Sequence, residues 1–307
     1  MTDPRPAWSR DSAMLRIDHG FEDLEEVSEE WAFAGADGFG VRVAVIDSGI
    51  DADHLDLIGA VDREGAVMFG VDASGEVVRT DGPHVDVFGH GTACAGIIHS
   101  LAPGAELTSV RVLGEGLTGK AAAFLAGLNW AIDEGFDVIN LSLGTGLRDW
   151  ALAFYEACDR AYFSGSFIVT AANNIQRASF PSLFGTVASV ACNLSKDPRR
   201  YHWNPDPPTE FLAPGIDIDV IWKDGGHSTG TGNSYAAPHI SGLAAQILSK
   251  HPELRPFQLK SVLCSLAVNV RDADAGIEVP GRLSRMMTGM IPQAGNRGTV
   301  MGRPVAQ

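Results

Sequence analysis

Residues 41–51 read VRVAVIDSGID. From Val41 to Ile46 the run is apolar and rich in β-branched residues, broken only by Arg42, and it stops at Asp47 and a Ser-Gly turn. Continuous rather than alternating apolar character is the mark of a strand covered on both faces of its sheet. A carboxylate at the end of such a strand is partly withdrawn from water and needs a cationic or hydrogen-bonding partner. An aspartate before Ser-Gly is equally an ordinary turn residue, so this segment alone decides the fold class and not the function.

The same pattern recurs outward from it. Leu107 to Leu113 (LTSVRVL), Val138 to Leu143 (VINLSL), Phe167 to Ala171 (FIVTA) and Val187 to Ala191 (VASVA) read as further strands. Helical spacing covers Lys120 to Glu134, Trp150 to Ala161, Ser234 to Lys250 and Pro256 to Ala267. Strand–helix alternation predicts an α/β fold: a mostly parallel sheet with helices on both faces. No internal repeat or Pro/Ser-rich linker divides the chain. One domain over 21–285 is expected, with a flexible segment at 1–20 and a loose, aperiodic tail at 286–307. The acidic stretch Phe21 to Gly35 reads as surface rather than as a cover for a cleft.

The 307 residues are 45% hydrophobic and 20% charged, enough for a sizeable core. A formal net charge of -15 argues against nucleic acid and against an anionic membrane as partner. No apolar run reaches membrane-spanning length, and the first residues lack the apolar segment of a signal peptide. The four cysteines, Cys94, Cys158, Cys192 and Cys264, are scattered without CxxC spacing, which favours reduced thiols and a cytoplasmic location. The sequence carries no signal of oligomeric state.

Two further segments place reactive residue types at helix starts, where α/β sheets build their sites. In FGHGTACAGII, His90 stands between glycines that leave room for a substrate beside the ring. A capping histidine in an ordinary turn is the plainer alternative. In TGTGNSYAAPHISGLAA, Ser234 follows a glycine loop that exposes its hydroxyl, with Pro238 in the first helical turn. Serine is also a common N-cap.

Together, AVIDSGID, HGTACAG and GTGNSYAAPH, in the order Asp47, His90, Ser234, resemble the three active-site signatures of the subtilisin-like serine peptidases. The resemblance runs from about residue 20 to about residue 270. It implies a subtilisin-like three-layer sandwich and a serine endopeptidase acting through an acyl-enzyme. Ser234 would be the nucleophile, His90 its base, and Asp47 the group that fixes the imidazole tautomer. In FIVTAANN, Asn174 takes the position of the family's oxyanion-hole asparagine, with the Ser234 N–H as second donor. Asn173 stands where glycine is usual; it tolerates a positive φ and is expected to intrude on the specificity pocket. Ser142, Leu143 and Gly144 resemble one peptide-pairing edge, and the segment from Gly116 to Gly119 the facing one. Ala171 and Ala172 would wall the primary pocket, with Ser179 to Ser182 near its floor. The implied partner is a peptide or unfolded protein.

The chain departs from the family at several points. Cys94 lies a turn behind His90, either a small buried hydrophobe or a redox-active thiol. The segment CAGIIHSLAPGAEL is too short for the loop that binds structural calcium in many members. Asp51, Asp53 and Asp56 lack the glycine and terminal glutamate of an EF-hand loop. No metal and no cofactor are therefore expected. Asn233 replaces the usual threonine and Tyr235 the usual methionine, and neither is expected to touch the triad's chemistry. Only 40 residues precede the first strand, too few for a folded propeptide, which suggests an intracellular member. Two rivals remain beside a processing or turnover protease: a silent subtilase that binds peptides, and an esterase or amidase using the same triad.

Overall fold

In a computed structural model, residues 27–175 and 177–272 are described. The segments 1–20 and 286–307, and the outer ends of the expected domain, lie outside the described residues. The run 42–47 forms β1 (Arg42–Asp47) at the heart of a nine-stranded sheet. Its neighbours are β4 (Glu106–Arg111) and β5 (Val138–Leu141), both parallel to it. Beyond β5 come β6 (Phe167–Ala171), β7 (Ala188–Asn193), β9 (Phe211–Pro214) and β8 (His202–Trp203). Beyond β4 come β2 (Val61–Val71) and β3 (Val77–Asp81). Only the outermost pairs, β2 with β3 and β8 with β9, are antiparallel, so the sheet is mostly parallel as expected.

The two-sided burial read from β1 is literal. Val43 and Val45 enter a core layer with α2 (His90–Leu101), α5 (Asn233–Lys250) and α6 (Pro256–Leu266). Ala44 and Ile46 enter the opposite layer with α3 (Ala121–Asp133) and α4 (Ala151–Ser164). Each fully buried Val or Ile contributes roughly 1.5–3 kcal/mol relative to exposure. A polar residue at any of the four would be felt on one face or the other.

The sequence pattern left several strands unread. In β3 every residue is exposed. β2 passes through a register irregularity between Asp62 and Val67. A separate hairpin, β10 (Ile218–Trp222) with β11 (Gly226–Gly230), packs Val220 on Ala93 and Ile97 of α2, while β11 itself reads as loop. At the front, α1 (Glu29–Phe33) stacks Trp31 on His251, with ring centroids 3.7 Å apart, just past the end of α5. That end is about 24 Å along the helix from Ser234, so the described part of the acidic stretch covers no cleft there. A last short helix, α7 (Val268–Arg271), closes the described chain.

Candidate active site

The carboxyl ends of β1, β5 and β6 open on one edge of the sheet, and the start of α5 lies across them. Asp47, the last residue of β1, is fully buried. Its two oxygens each lie 2.9 Å from His90 Nδ1, and Oδ1 also accepts the Ser48 N–H at 2.8 Å. The partner required by a buried carboxylate is thus His90. Burial by itself would lower the His90 pKa, but the adjoining Asp47 carboxylate outweighs it and raises the pKa well above the ordinary imidazole value. Cys94, whose thiol is held protonated by its own burial, adds no charge at neutral pH.

Gly91 serves a different purpose from the one expected. A Cβ there would sit 2.0 Å from the Gly49 carbonyl and 3.1 Å from Asp47 Cβ. The glycine therefore lets α2 dock on the backbone that follows Asp47, rather than leaving space for substrate. Gly89, at φ 118, similarly lies under the Trp222 ring.

Ser234 is held from behind. α5 begins one residue earlier than expected, at Asn233, which puts Pro238 in the second turn. Proline has no N–H for the carbonyl four residues back, so the Ser234 C=O is left without a helical donor. It accepts instead from Ser142 Oγ at 2.8 Å and from Cys94 Sγ at 3.6 Å. Ser142 Oγ in turn receives Asn140 Nδ2 at 3.0 Å, and Asn140 Oδ1 receives Ser241 Oγ at 2.8 Å. A buried polar chain therefore bolts the first turn of α5 to β5. Cys94 also lies 3.9 Å from both His90 Nδ1 and Asp47 Oδ2, so Asp47, His90 and Ser234 meet around one thiol. The Tyr235 ring packs on the His90 ring at 5.2 Å, which places the residue replacing the family's methionine in contact with His90.

Asn174 stands beside Ser234. Its Oδ1 accepts the Asn233 N–H at 2.8 Å, which fixes the carboxamide at the start of α5. A Cβ added at Gly232 would lie 3.3 Å from Ser234 Oγ and 3.4 Å from Asn174 Nδ2, so that glycine keeps open a space bounded by both. The positive φ allowed for at Asn173 does not occur: among described non-glycine residues it is found at Leu117, Asp217 and Asp224. The Asn173 side chain accepts the Ile175 N–H at 3.0 Å and so folds onto its own loop.

Ser142 is buried and spends its hydroxyl on Ser234, while Leu143 is half-buried and Gly144 exposed. Ser179 Oγ lies where a Cβ of Gly144 would go, at 2.4 Å, and Thr145 pairs with Phe180. The 142–144 edge and the 179–182 floor are thereby joined. Ala171 is buried at the end of β6 and Ala172 half-buried beyond it. Gly116 and Gly119 are exposed in the loop after β4, closed by Gly114 N–H to Thr118 O at 3.0 Å.

Two residues matter more than the sequence suggested. Asp86, 4% exposed, accepts from Ser48 Oγ (2.8 Å), the N–H groups of Phe88 (2.9 Å), Gly89 (2.8 Å) and Thr92 (2.9 Å), and Thr92 Oγ1 (2.6 Å). It ties the turn after Asp47 to the helix start that carries His90. An acidic residue just ahead of a helix start was the available signal. Asn233 receives the Cys192 N–H (2.9 Å) and donates to the carbonyls of Ala172 (3.1 Å) and Asn173 (3.2 Å), pinning the loop that carries Asn174.

Two groups of donors among the described residues lie close enough to share a metal ion: Asp47, His90 and Cys94, and His54, Asp56 and His227. The calcium expected in many family members needs six to eight oxygen ligands. Here only residues 102–105 join α2 to β4, in a turn closed by Ala105 N–H to Ala102 O, and they do not fit such a cage. No described helix is long and apolar enough to cross a membrane.

The subtilase (peptidase S8) family model matches residues 38–279. Subtilisin DY of Bacillus licheniformis is 34% identical over 78% of this chain and 88% of its own. Subtilisin E of Bacillus subtilis (strain 168) is 33% identical over 76% of this chain, which spans 62% of that protein. Among solved structures, a cold-adapted subtilisin-like serine proteinase superposes with a TM-score of 0.64 at 28% identity, covering 78% of this chain and 88% of its own. On this evidence and its fold, the chain belongs to the subtilase family of serine peptidases.

Proposed function

We propose that Asp47, His90 and Ser234 act as the catalytic triad of a serine endopeptidase, with Asn174 as oxyanion donor. The observation that carries this reading is the convergence of the three residues around Cys94, with His90 Nδ1 on Asp47 and the Ser234 carbonyl beside the same thiol. His90 Nε2 takes the proton of Ser234 as Oγ attacks the scissile carbonyl. The tetrahedral oxyanion is received by Asn174 Nδ2 and by the Ser234 N–H, one of the first-turn amides that lack a helical partner. Collapse breaks the C–N bond, and His90 returns its proton to the departing amine. Water, deprotonated by the same imidazole, then releases the acid and restores Ser234. Asp47 remains ionised throughout, holding the Nδ1–H tautomer and stabilising the imidazolium.

The substrate is an extended peptide. The loops after β4 and β5 flank β1 and stand two strand spacings apart, roughly 9–10 Å, the gap that one added strand fills. Leu143 and Gly144 form one edge, Gly116 and Gly119 the other, and Ala171, Ala172 and Asn173 line the primary pocket beside Ser234. Ser142 contributes through Ser234 rather than through the peptide. The four free thiols support a role in the cytoplasm, in processing or turnover of peptides and unfolded proteins.

The test is cleavage of a diverse peptide library by the protein and by Ser234→Ala. Internal cuts by the parent alone are expected. Hydrolysis of simple esters without peptide cleavage would indicate an esterase, and no turnover at all a silent binding module.

A further inference from the structure

The turn that follows Asp47 brings a second set of reactive side chains together, away from the triad. His54 precedes a short 3-10 helix, Leu55–Leu57, and is only 3% exposed. Its Nε2 lies 3.2 Å from the Gly226 carbonyl, a bond that only a protonated nitrogen makes, so the neutral ring carries its lone pair on Nδ1. That lone pair receives the Asp56 N–H at a long 3.2 Å and lies 3.9 Å from Asp56 Oδ2. An ion entering there would displace that long N–H contact and take the Nδ1 lone pair and the carboxylate oxygen together. His227, exposed on β11, supplies a third donor: its ring stands edge-on to His54 with centroids 5.8 Å apart. One donor atom from each of the three residues lies within 4.8 Å of the other two.

We propose that His54, Asp56 and His227 bind a first-row divalent transition-metal ion, zinc foremost. Two imidazoles and one carboxylate are a zinc-type donor set, whereas calcium takes oxygen alone. With metal–ligand bonds of about 2.0–2.2 Å, tetrahedral ligands stand roughly 3.3–3.5 Å apart. The His54–Asp56 pair is already close to that spacing, and the exposed Asp56 and His227 side chains can rotate to complete it. The Gly226 carbonyl plays the part usual for a ligating histidine, fixing its tautomer from the opposite nitrogen. The two segments are already docked, since Asp51 Oδ2 accepts the Asp224 N–H at 2.8 Å. A bound ion would staple the turn after Asp47 to the hairpin that leads into Ser234.

The test uses the full chain, stripped with a chelator and then titrated with Zn2+ by calorimetry and with Co2+ by visible absorption. One ion per chain, a Co2+ band typical of nitrogen and oxygen ligands, and a higher melting temperature are expected. His227→Ala and Asp56→Asn should each weaken binding by about tenfold or more. Melting of the metal-free variants at the parent's temperature confirms that they fold. Absence of binding overturns the proposal. So does binding that survives His227→Ala and abolishes peptidase activity, because it places the ion at Asp47, His90 and Cys94.

Discussion

Replacing Asn233 by alanine removes one carboxamide and three hydrogen bonds, leaving the Cys192 N–H and the carbonyls of Ala172 and Asn173 without that partner. The helix itself is not at risk, since alanine is the best helix former. At about 0.5–1.5 kcal/mol per bond, the loop that carries Asn174 loses roughly 2–4 kcal/mol of restraint. The Asn233 N–H remains to hold Asn174 Oδ1, so the oxyanion donor is loosened rather than deleted. Outright deletion of such a donor in subtilisin costs a hundredfold to a thousandfold in kcat, which sets the ceiling. We expect kcat to fall by roughly ten- to a hundredfold, with KM changing much less, because the donor acts mainly on the developing oxyanion. Steady-state kinetics on a chromogenic peptide, with the melting temperature alongside, decide the matter. A lower melting temperature with kcat within about twofold of the parent would show that Asn233 only supports the fold, and would refute the reasoning.

The catalytic imidazole must be neutral to accept a proton, and Asp47 raises its pKa, so kcat/KM should climb with pH through a value above about 6.5. An acid limb centred below that value contradicts the assigned pairing. By linkage the raised pKa stabilises the fold fully below the unfolded imidazole value, and this contribution is lost as pH rises through the folded one. A mercurial on Cys94 would put a metal atom between His90, Asp47 and the Ser234 carbonyl. Slow inactivation is expected, slow because the thiol is buried, and Cys94→Ala should resist it; full activity of the mercurated protein would defeat the idea. Gly232→Ala would place a methyl group in the space between Ser234 Oγ and Asn174 Nδ2, on a backbone at φ 159 that only glycine adopts readily, and should lower kcat by roughly ten- to a hundredfold together with the melting temperature. Unchanged kcat would mean that the oxyanion lies elsewhere.

Strands buried on both sides were legible because both core layers demand apolar residues from the same segment, as in β1. The hairpins were not, because β3 is exposed and β11 is built from polar residues and glycines, leaving no periodicity to read. Asp47, His90 and Ser234 stood out as residue types at strand ends and helix starts. The groups that hold them did not. Asp86 binds through main-chain and hydroxyl donors that become its partners only on folding. Asn233 was read as a neutral replacement because its three partners are distant in sequence, and Tyr235 because its contact with His90 depends on where β11 lies. Pro238 was read as a tolerated helix residue, whereas its missing N–H leaves the Ser234 carbonyl to Ser142. In each case the sequence names the group but not the direction in which its hydrogen bonds point.

The central claim is that Ser234 is a nucleophile activated by His90. Intact-mass and peptide mass spectrometry after reaction with a fluorophosphonate tests it directly. The account predicts a single adduct on Ser234, absent from Ser234→Ala and strongly slowed in His90→Ala. An unlabelled parent protein, or an adduct on any other residue, would contradict it.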